Sequence, residues 1–332
     1  RPVEKLPGYQ CAHQDDVEGD VLPIEDLLAH VESVTPSILA RIKQLSSAQH
    51  WVNGYSLIQE RPLKVPIEYV DFISGPNGKA AGNRLEEAIV HAANEVFERR
   101  AHITVLRNRM VVPTIDIDSI DNPIVLEHIE FLRDRDIDVT VKDLSFGGNL
   151  PCIGAYFADR TIPKEYQFHH FFKVGAAFNL EEALIRTFTE YTQGRKRDEF
   201  IDGSKSEQDR ILNHDFRSLK SQPDTCDNFM STFMFGFIPY RDADFLKEGD
   251  VVPFDRGQDF GDCLEDIEAA KSLCQALNRD LVVVDFTDPE IGFPVAQVII
   301  PGYSDVLPFH PHDSEGLFKR WTRSEVIASY TD

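Results

Sequence analysis

The order in which patterns follow one another along the chain predicts a mixed α/β (α+β) fold, with mixed sheets packed by helices. Three observations predict it. Short alternating or continuously apolar runs at 63–73, 137–142, 152–157, 168–178, 281–286 and 295–300 read as strands. Two long segments, 83–109 and 180–195, repeat apolar residues three and four apart and read as helices. Strand, turn and helix also succeed one another, the order that builds layers of sheet and helix.

In chain order, residues 1–60 are polar and acidic, with helices expected near 24–33 and 37–48, the second opened by Thr35-Pro36-Ser37. The run Leu63 to Ile73 leads into a glycine-rich turn, 74–82, and then the helix 83–109. A helix at 123–135 precedes the strand at 137–142, the turn Phe146-Gly147-Gly148-Asn149 and the strand at 152–157. Residues 196–226 are rich in Asp, Lys, Ser and Gln with little periodicity, which reads as a mobile polar excursion. A helix at 262–278 and the two apolar strands follow, and the tail after Tyr303 is short of core residues. The expected organisation is an N-terminal helical and polar segment, 1–60, then a domain over 61–310 that includes the excursion at 196–226, and a tail over 311–332.

Composition narrows the function classes. Hydrophobic residues make up 42% and charged ones 27%, a balance that fits a packed globular chain rather than a disordered one. A formal charge of -22 argues against a partner that is bound through its phosphates, so no nucleic acid is expected. No run approaches the roughly 20 apolar residues that span a bilayer, and the first residues lack the layout of a signal peptide. No membrane partner and a cytoplasmic location are therefore expected. Five cysteines without a C-x-x-C read as reduced packing residues. His310-Pro311-His312-Asp313, His169-His170 and Cys152 have no spacing that completes a metal site or a nucleophile with its base.

The two long helices repeat one another. Leu85-Glu86-Glu87-Ala88-Ile89 recurs as Leu180-Glu181-Glu182-Ala183-Leu184, and at the same offset His91 meets Arg186, Glu95 meets Glu190 and Glu98 meets Gln193. Asn83 and Asn179 stand as N-caps, with Glu86 and Glu182 three residues later as capping-box partners. Glu87, His91, Asn94 and Glu98 form one stripe with Glu95 on its flank. Amphipathic helices with solvated acidic faces would account for this pattern. So would a ligand site. Stacked carboxylates repel unless a cation or arginine neutralises them, and carboxylates three apart can share one hard ion. With Arg99, Arg186 and Gln193 nearby in the pattern, the set suits Mg²⁺ holding a polyphosphate. The glycine turn is no Walker A motif, because Gly78-Lys79 is followed by Ala80.

The run from Ser74 through Gly82-Asn83-Arg84-Leu85-Glu86-Glu87-Ala88 to Glu95-Val-Phe-Glu98-Arg99 resembles the signature of the YcaO-domain family. So does Arg186-Thr-Phe-Thr-Glu190-Tyr-Thr-Gln193. Asp143 to Pro151 and Ile299 to Pro308 bring the resemblance closest to the stand-alone bacterial form, over roughly residues 60–310. The resemblance implies a domain that binds ATP and Mg²⁺ and directs the γ-phosphate onto a backbone amide oxygen. It implies Glu95 and Glu98 as Mg²⁺ ligands, and Asn83, Glu87, Arg99, Arg186, Glu190 and Gln193 around the nucleotide. A further Glu-x-x-Glu-Arg helix upstream is also implied, and residues 1–70 hold none, so against the family either the chain continues a part truncated upstream or its site is incomplete. The proline-rich end of azoline-forming members is missing too, which disfavours heterocycle formation. The expected partners are a peptide or protein substrate, a modification enzyme and a second copy of the chain. The products implied for the family are azolines, thioamides or amidines, depending on the nucleophile, and the stand-alone bacterial form is associated with β-methylthiolation of a ribosomal protein. A noncatalytic protein that delivers a substrate to another enzyme is the alternative.

Overall fold

The computed structural model describes residues 3–28, 49–161, 169–193 and 243–304. They fall into two compact units. The first takes the described residues up to Arg100 and from Phe260 onward, and the second those from Ala101 to Asp259.

The first unit is built on a six-stranded sheet. Its strands are β1 (Gln10–Ala12), β2 (Gln49–Ser56), β3 (Arg61–Pro66), β4 (Lys79–Ala81), β10 (Val282–Asp285) and β11 (Val295–Ile299). All pairings are antiparallel. β1, β3 and β10 pair with β2, and the path runs on from β10 through β11 to β4. Trp51, Val52, Val65, Ile67, Val282 and Val284 have almost no exposed surface and form a core with Leu6, Leu22, α1 (Ile24–Leu28) and α2 (Ile67–Ser74). Burying each such side chain stabilises the fold by about 1.5–3 kcal/mol.

The run 63–73, expected as one strand, is a strand only to Pro66 and then turns into α2. The cause lies in the spacing. Leu63, Val65 and Ile67 are buried at intervals of two, whereas Ile67, Val70 and Ser74 are buried at intervals of three and four. β2 was not foreseen, because its sequence, QHWVNGYS, mixes polar residues and glycine into the strand. Of the helix expected at 24–33 the described part is Ile24–Leu28. The expected helix at 37–48, the excursion at 196–226 and the tail from 311 lie outside the described residues.

The second unit holds a five-stranded sheet in the order β8-β7-β6-β5-β9. These are β5 (Thr114–Ile115), β6 (Ile137–Asp143), β7 (Cys152–Asp159), β8 (His170–Ala176) and β9 (Val251–Val252). β5 and β9 are parallel and the other pairs antiparallel, so the sheet is mixed. On one face Val139, Val141, Ile153, Phe157 and Phe171 pack with residues of α4 (Pro123–Arg133) and α5 (Leu180–Thr192). Phe157 stacks on Tyr191 with ring centres 3.9 Å apart and meets Phe188 edge-on at 5.7 Å. His170 is buried on β8, its Nδ1 lying 2.5 Å from the Tyr156 hydroxyl, so it packs rather than ligates.

The remaining long elements are α3 (Leu85–Asn108) and α6 (Cys263–Ala276). α3 is divided between the units after Arg100. Both helices, and those at 123–133 and 180–192, fall within a few residues of the ends that periodicity predicts. Among the described residues all four cysteines are reduced, with Cys152 and Cys274 buried but Cys11 exposed. No helix among them is long and apolar enough to cross a membrane.

Candidate nucleotide and metal site

α3 starts one residue later than its sequence implies. The Ala88 N–H donates to Arg84 O, so Arg84 rather than Asn83 is the first residue to accept a helical bond. That shift moves the capping carboxylate from Glu86 to Glu87. Glu87 Oε2 accepts from the Asn83 N–H at 2.7 Å and from Asn83 Nδ2 at 3.0 Å. The Asn83 backbone bond, then its side chain, hold the Glu87 carboxyl below the usual carboxylate range. In α5 Asn179 is the N-cap as expected, accepting from the Glu181 N–H at 3.0 Å. Glu182, expected to complete a capping box there, instead accepts from Arg186 Nη2 at 2.7 Å and Nε at 3.1 Å. The i, i+4 spacing across one helical turn favours that ion pair.

The middle of α3 is not a solvated amphipathic helix. Ala88, Ile89, Val90, Ala92, Ala93, Val96 and Phe97 are all buried, so apolar surface is covered on nearly every side. Set into it is a charged group. Arg99 lies between two acids, its Nη2 3.8 Å from Glu95 Oε1 and its Nε 3.7 Å from Glu98 Oε1. The side chains of Glu95, Glu98 and Arg99 keep only 29%, 19% and 23% of their exposure, enough for one face of each to reach a ligand. Asn94, one turn before Glu98, is 3% exposed, and its Oδ1 has no hydrogen-bond partner among the described residues. Hard carboxylate oxygens three residues apart, an arginine and an orphaned amide oxygen form a donor set that fits Mg²⁺ with phosphate.

Asn83 and Glu87 form a separate pair. Eight residues of helix separate Glu87 from Glu95, about 12 Å along the axis, so they cannot share one ion. On α5 the Gln193 amide, with its nitrogen turned toward Glu190, donates to the two carboxylate oxygens at 3.2 and 2.9 Å. Gln193 is the C-cap of that helix, and its N–H donates to Thr189 O. Cys263, near the start of α6, is no activated thiol, since burial and then Asp266 and Glu87 push its pKa up.

One partner was missed from sequence. The N–H of Gly78, 17 residues before Glu95, donates to Glu95 Oε2 at 2.9 Å. Glu95, Glu98 and Arg99 also spell Glu-x-x-Glu-Arg on α3, the pattern expected of a further helix upstream.

A family profile described as YcaO cyclodehydratase, ATP- and Mg²⁺-binding, matches residues 10–304. The chain belongs to the YcaO family. ATP and Mg²⁺ are the cofactors of that family. A protein of Methanothermobacter thermautotrophicus is 27% identical over 307 residues, 88% of this chain and 72% of its own. The ribosomal protein S12 methylthiotransferase accessory factor YcaO of Escherichia coli is 25% identical over 250 residues, 74% of this chain. Among solved structures a heterocyclase in complex with substrate and cofactor superposes with a TM-score of 0.63 at 20% identity, over 89% of this chain. The two-sheet α/β architecture is therefore that of YcaO-type proteins. This YcaO chain spans 39% of the length of the E. coli protein and 40% of the heterocyclase.

Proposed function

We propose that this YcaO chain uses Mg-ATP to activate a peptide or protein backbone amide. The γ-phosphoryl group passes from ATP to the amide oxygen, releasing ADP. A nucleophile then adds at the amide carbon, and the C–O bond breaks as inorganic phosphate leaves. Phosphoryl transfer asks a protein for positioning and charge neutralisation more than for covalent chemistry, which suits a site of acids, arginine and amides.

In this reading Glu95 and Glu98 hold Mg²⁺, which neutralises the polyphosphate when bound. Asn83 and Glu87 support the nucleotide at the start of α3, and Arg99 directs its guanidinium to phosphate oxygen. On α5 of the second unit, Arg186, Glu190 and Gln193 carry the forked donor and hydrogen-bonding groups that suit a nucleotide, and they are proposed as nucleotide-binding residues by their resemblance to the family pattern. The observation that carries the reading is the charged triad Glu95, Glu98 and Arg99, set in a helix otherwise covered on nearly every side. A solvated acidic face would not be enclosed in this way.

The product depends on the nucleophile. A sulfur nucleophile yields a thioamide, and the name of the E. coli relative points to a place beside β-methylthiolation of a ribosomal protein. The same name favours a second reading, in which the chain is a noncatalytic accessory that presents a substrate to a modification enzyme. Incubation with ATP, Mg²⁺ and candidate peptides, with phosphate release as the readout, separates them. Peptide-stimulated release that disappears in Glu95→Ala and Glu98→Ala supports the enzyme. Nucleotide binding without turnover supports the accessory, and no Mg-ATP binding at all rejects both.

A further inference from the structure

We propose that Gly78 is a positioning residue for Glu95: its backbone N–H fixes the orientation of the carboxylate that the functional reading gives to the metal ion. The inference rests on the reading of Glu95 as an ion ligand and adds the group that aims it.

Gly78 is held from both sides. Its carbonyl accepts from the Val298 N–H at 2.8 Å, tying it to β11. The next residue, Lys79, places Nζ 2.6 Å from Asp71 Oδ1 on α2, and its N–H donates to Pro76 O. Between these anchors the Gly78 N–H points at Glu95 Oε2 from 2.9 Å. Oε1 of the same carboxylate lies 3.8 Å from Arg99 Nη2.

Only glycine fits this place. Its φ is +77°, in the left-handed region that side-chain-bearing residues avoid. A Cβ there would stand 2.6 Å from Val298 O and 3.0 Å from Val96 Cγ2. Both neighbours are buried, and one contact is to backbone, so neither yields cheaply. A carboxylate on a helix has several rotamers, and ordering it costs entropy at the moment an ion binds. A charge-assisted bond from a fixed backbone donor removes that cost in advance. The ion ligand is thereby coupled to the pairing of β4 with β11, not to its own helix alone.

Two measurements on the full chain test this. The first is deuterium exchange of the Gly78 amide without metal or nucleotide. Glu95→Gln keeps an oxygen acceptor and should leave exchange close to wild type, whereas Glu95→Ala should speed it at least about tenfold. Equal exchange in wild type and Glu95→Ala overturns the proposal. The second is Mn²⁺ titration in the presence of a nonhydrolysable ATP analogue. Gly78→Ala should raise the half-saturating metal concentration at least about tenfold, the factor expected for one charge-assisted hydrogen bond. Should that variant not fold, an ester in place of the Asn77–Gly78 amide removes the donor without adding a side chain, and the same shift is expected. Wild-type metal affinity in a folded Gly78→Ala or ester variant overturns the proposal. A wild-type chain that takes up no metal with nucleotide defeats the functional reading instead, and the exchange measurement still decides whether Gly78 aims Glu95.

Discussion

Lys142 Nζ donates to Thr114 Oγ1 at 2.7 Å in the interior of the second unit, with the whole lysine shielded from water. The same ammonium donates to the Glu248 carbonyl, so a single buried cation ties β6 to β5 and to the segment that leads into β9. Burial pulls its pKa down from 10.5 to about 8, against a smaller pull upward from Glu248.

The sign of the pH effect follows. Between about 8 and 10.5 the folded lysine is largely neutral while the unfolded one still binds a proton, so this group makes stability rise with pH across that window. Urea unfolding of wild type and Lys142→Met should show it, with a slope in the wild type that the variant lacks. At pH 7 the variant loses the donor to Thr114 and the Glu248 carbonyl, a cost of about 1–3 kcal/mol, and is relieved of the cost of burying the charge, so the test is the slope. Parallel pH profiles in wild type and variant would contradict the buried cation.

Glu87 carries the opposite sign. Its carboxyl is held below the ordinary value of 4.5, first by the Asn83 backbone bond, so its contribution is present above that value and fades as pH falls through the lower folded one. Glu87→Gln should therefore lose stability less steeply than wild type between about pH 5 and pH 3. Parallel acid unfolding curves, followed by far-UV circular dichroism, would contradict this.

Removal of either acid beside Arg99 should separate binding from folding. Glu95→Ala and Glu98→Ala should each weaken Mg-ATP binding at least about tenfold in calorimetric titration, while loss of one partly buried carboxylate limits the stability change to about 1–3 kcal/mol. Arg186→Lys should also weaken nucleotide binding, because an ammonium cannot reproduce the guanidinium fork.

Phe157 is a core test with no bearing on the ligands. It is fully buried, stacked on Tyr191 and edge-on to Phe188, so Phe157→Ala should cost about 3–5 kcal/mol in denaturant unfolding. A loss below about 1 kcal/mol would show that the face shared with α5 is not tightly packed.

Periodicity alone determined where α3, α4, α5 and α6 run, and one helical turn brings Glu95, Glu98 and Arg99 together whatever surrounds them, whereas the roles proposed for them come from the family resemblance. Tertiary structure decided the rest. β2 is a strand because its neighbours supply both edges, although its own sequence is half polar. Asn94 reads as one more polar residue on a stripe, and only packing around α3 shows it to be buried. The donor that orients Glu95 is a backbone group with no sequence mark beyond being glycine, brought 2.9 Å away by the registry of β4 on β11. Local spacing fixes which side chains share a helix face, but which backbone amide meets them depends on contacts between residues far apart in the chain, and no short-range pattern encodes those.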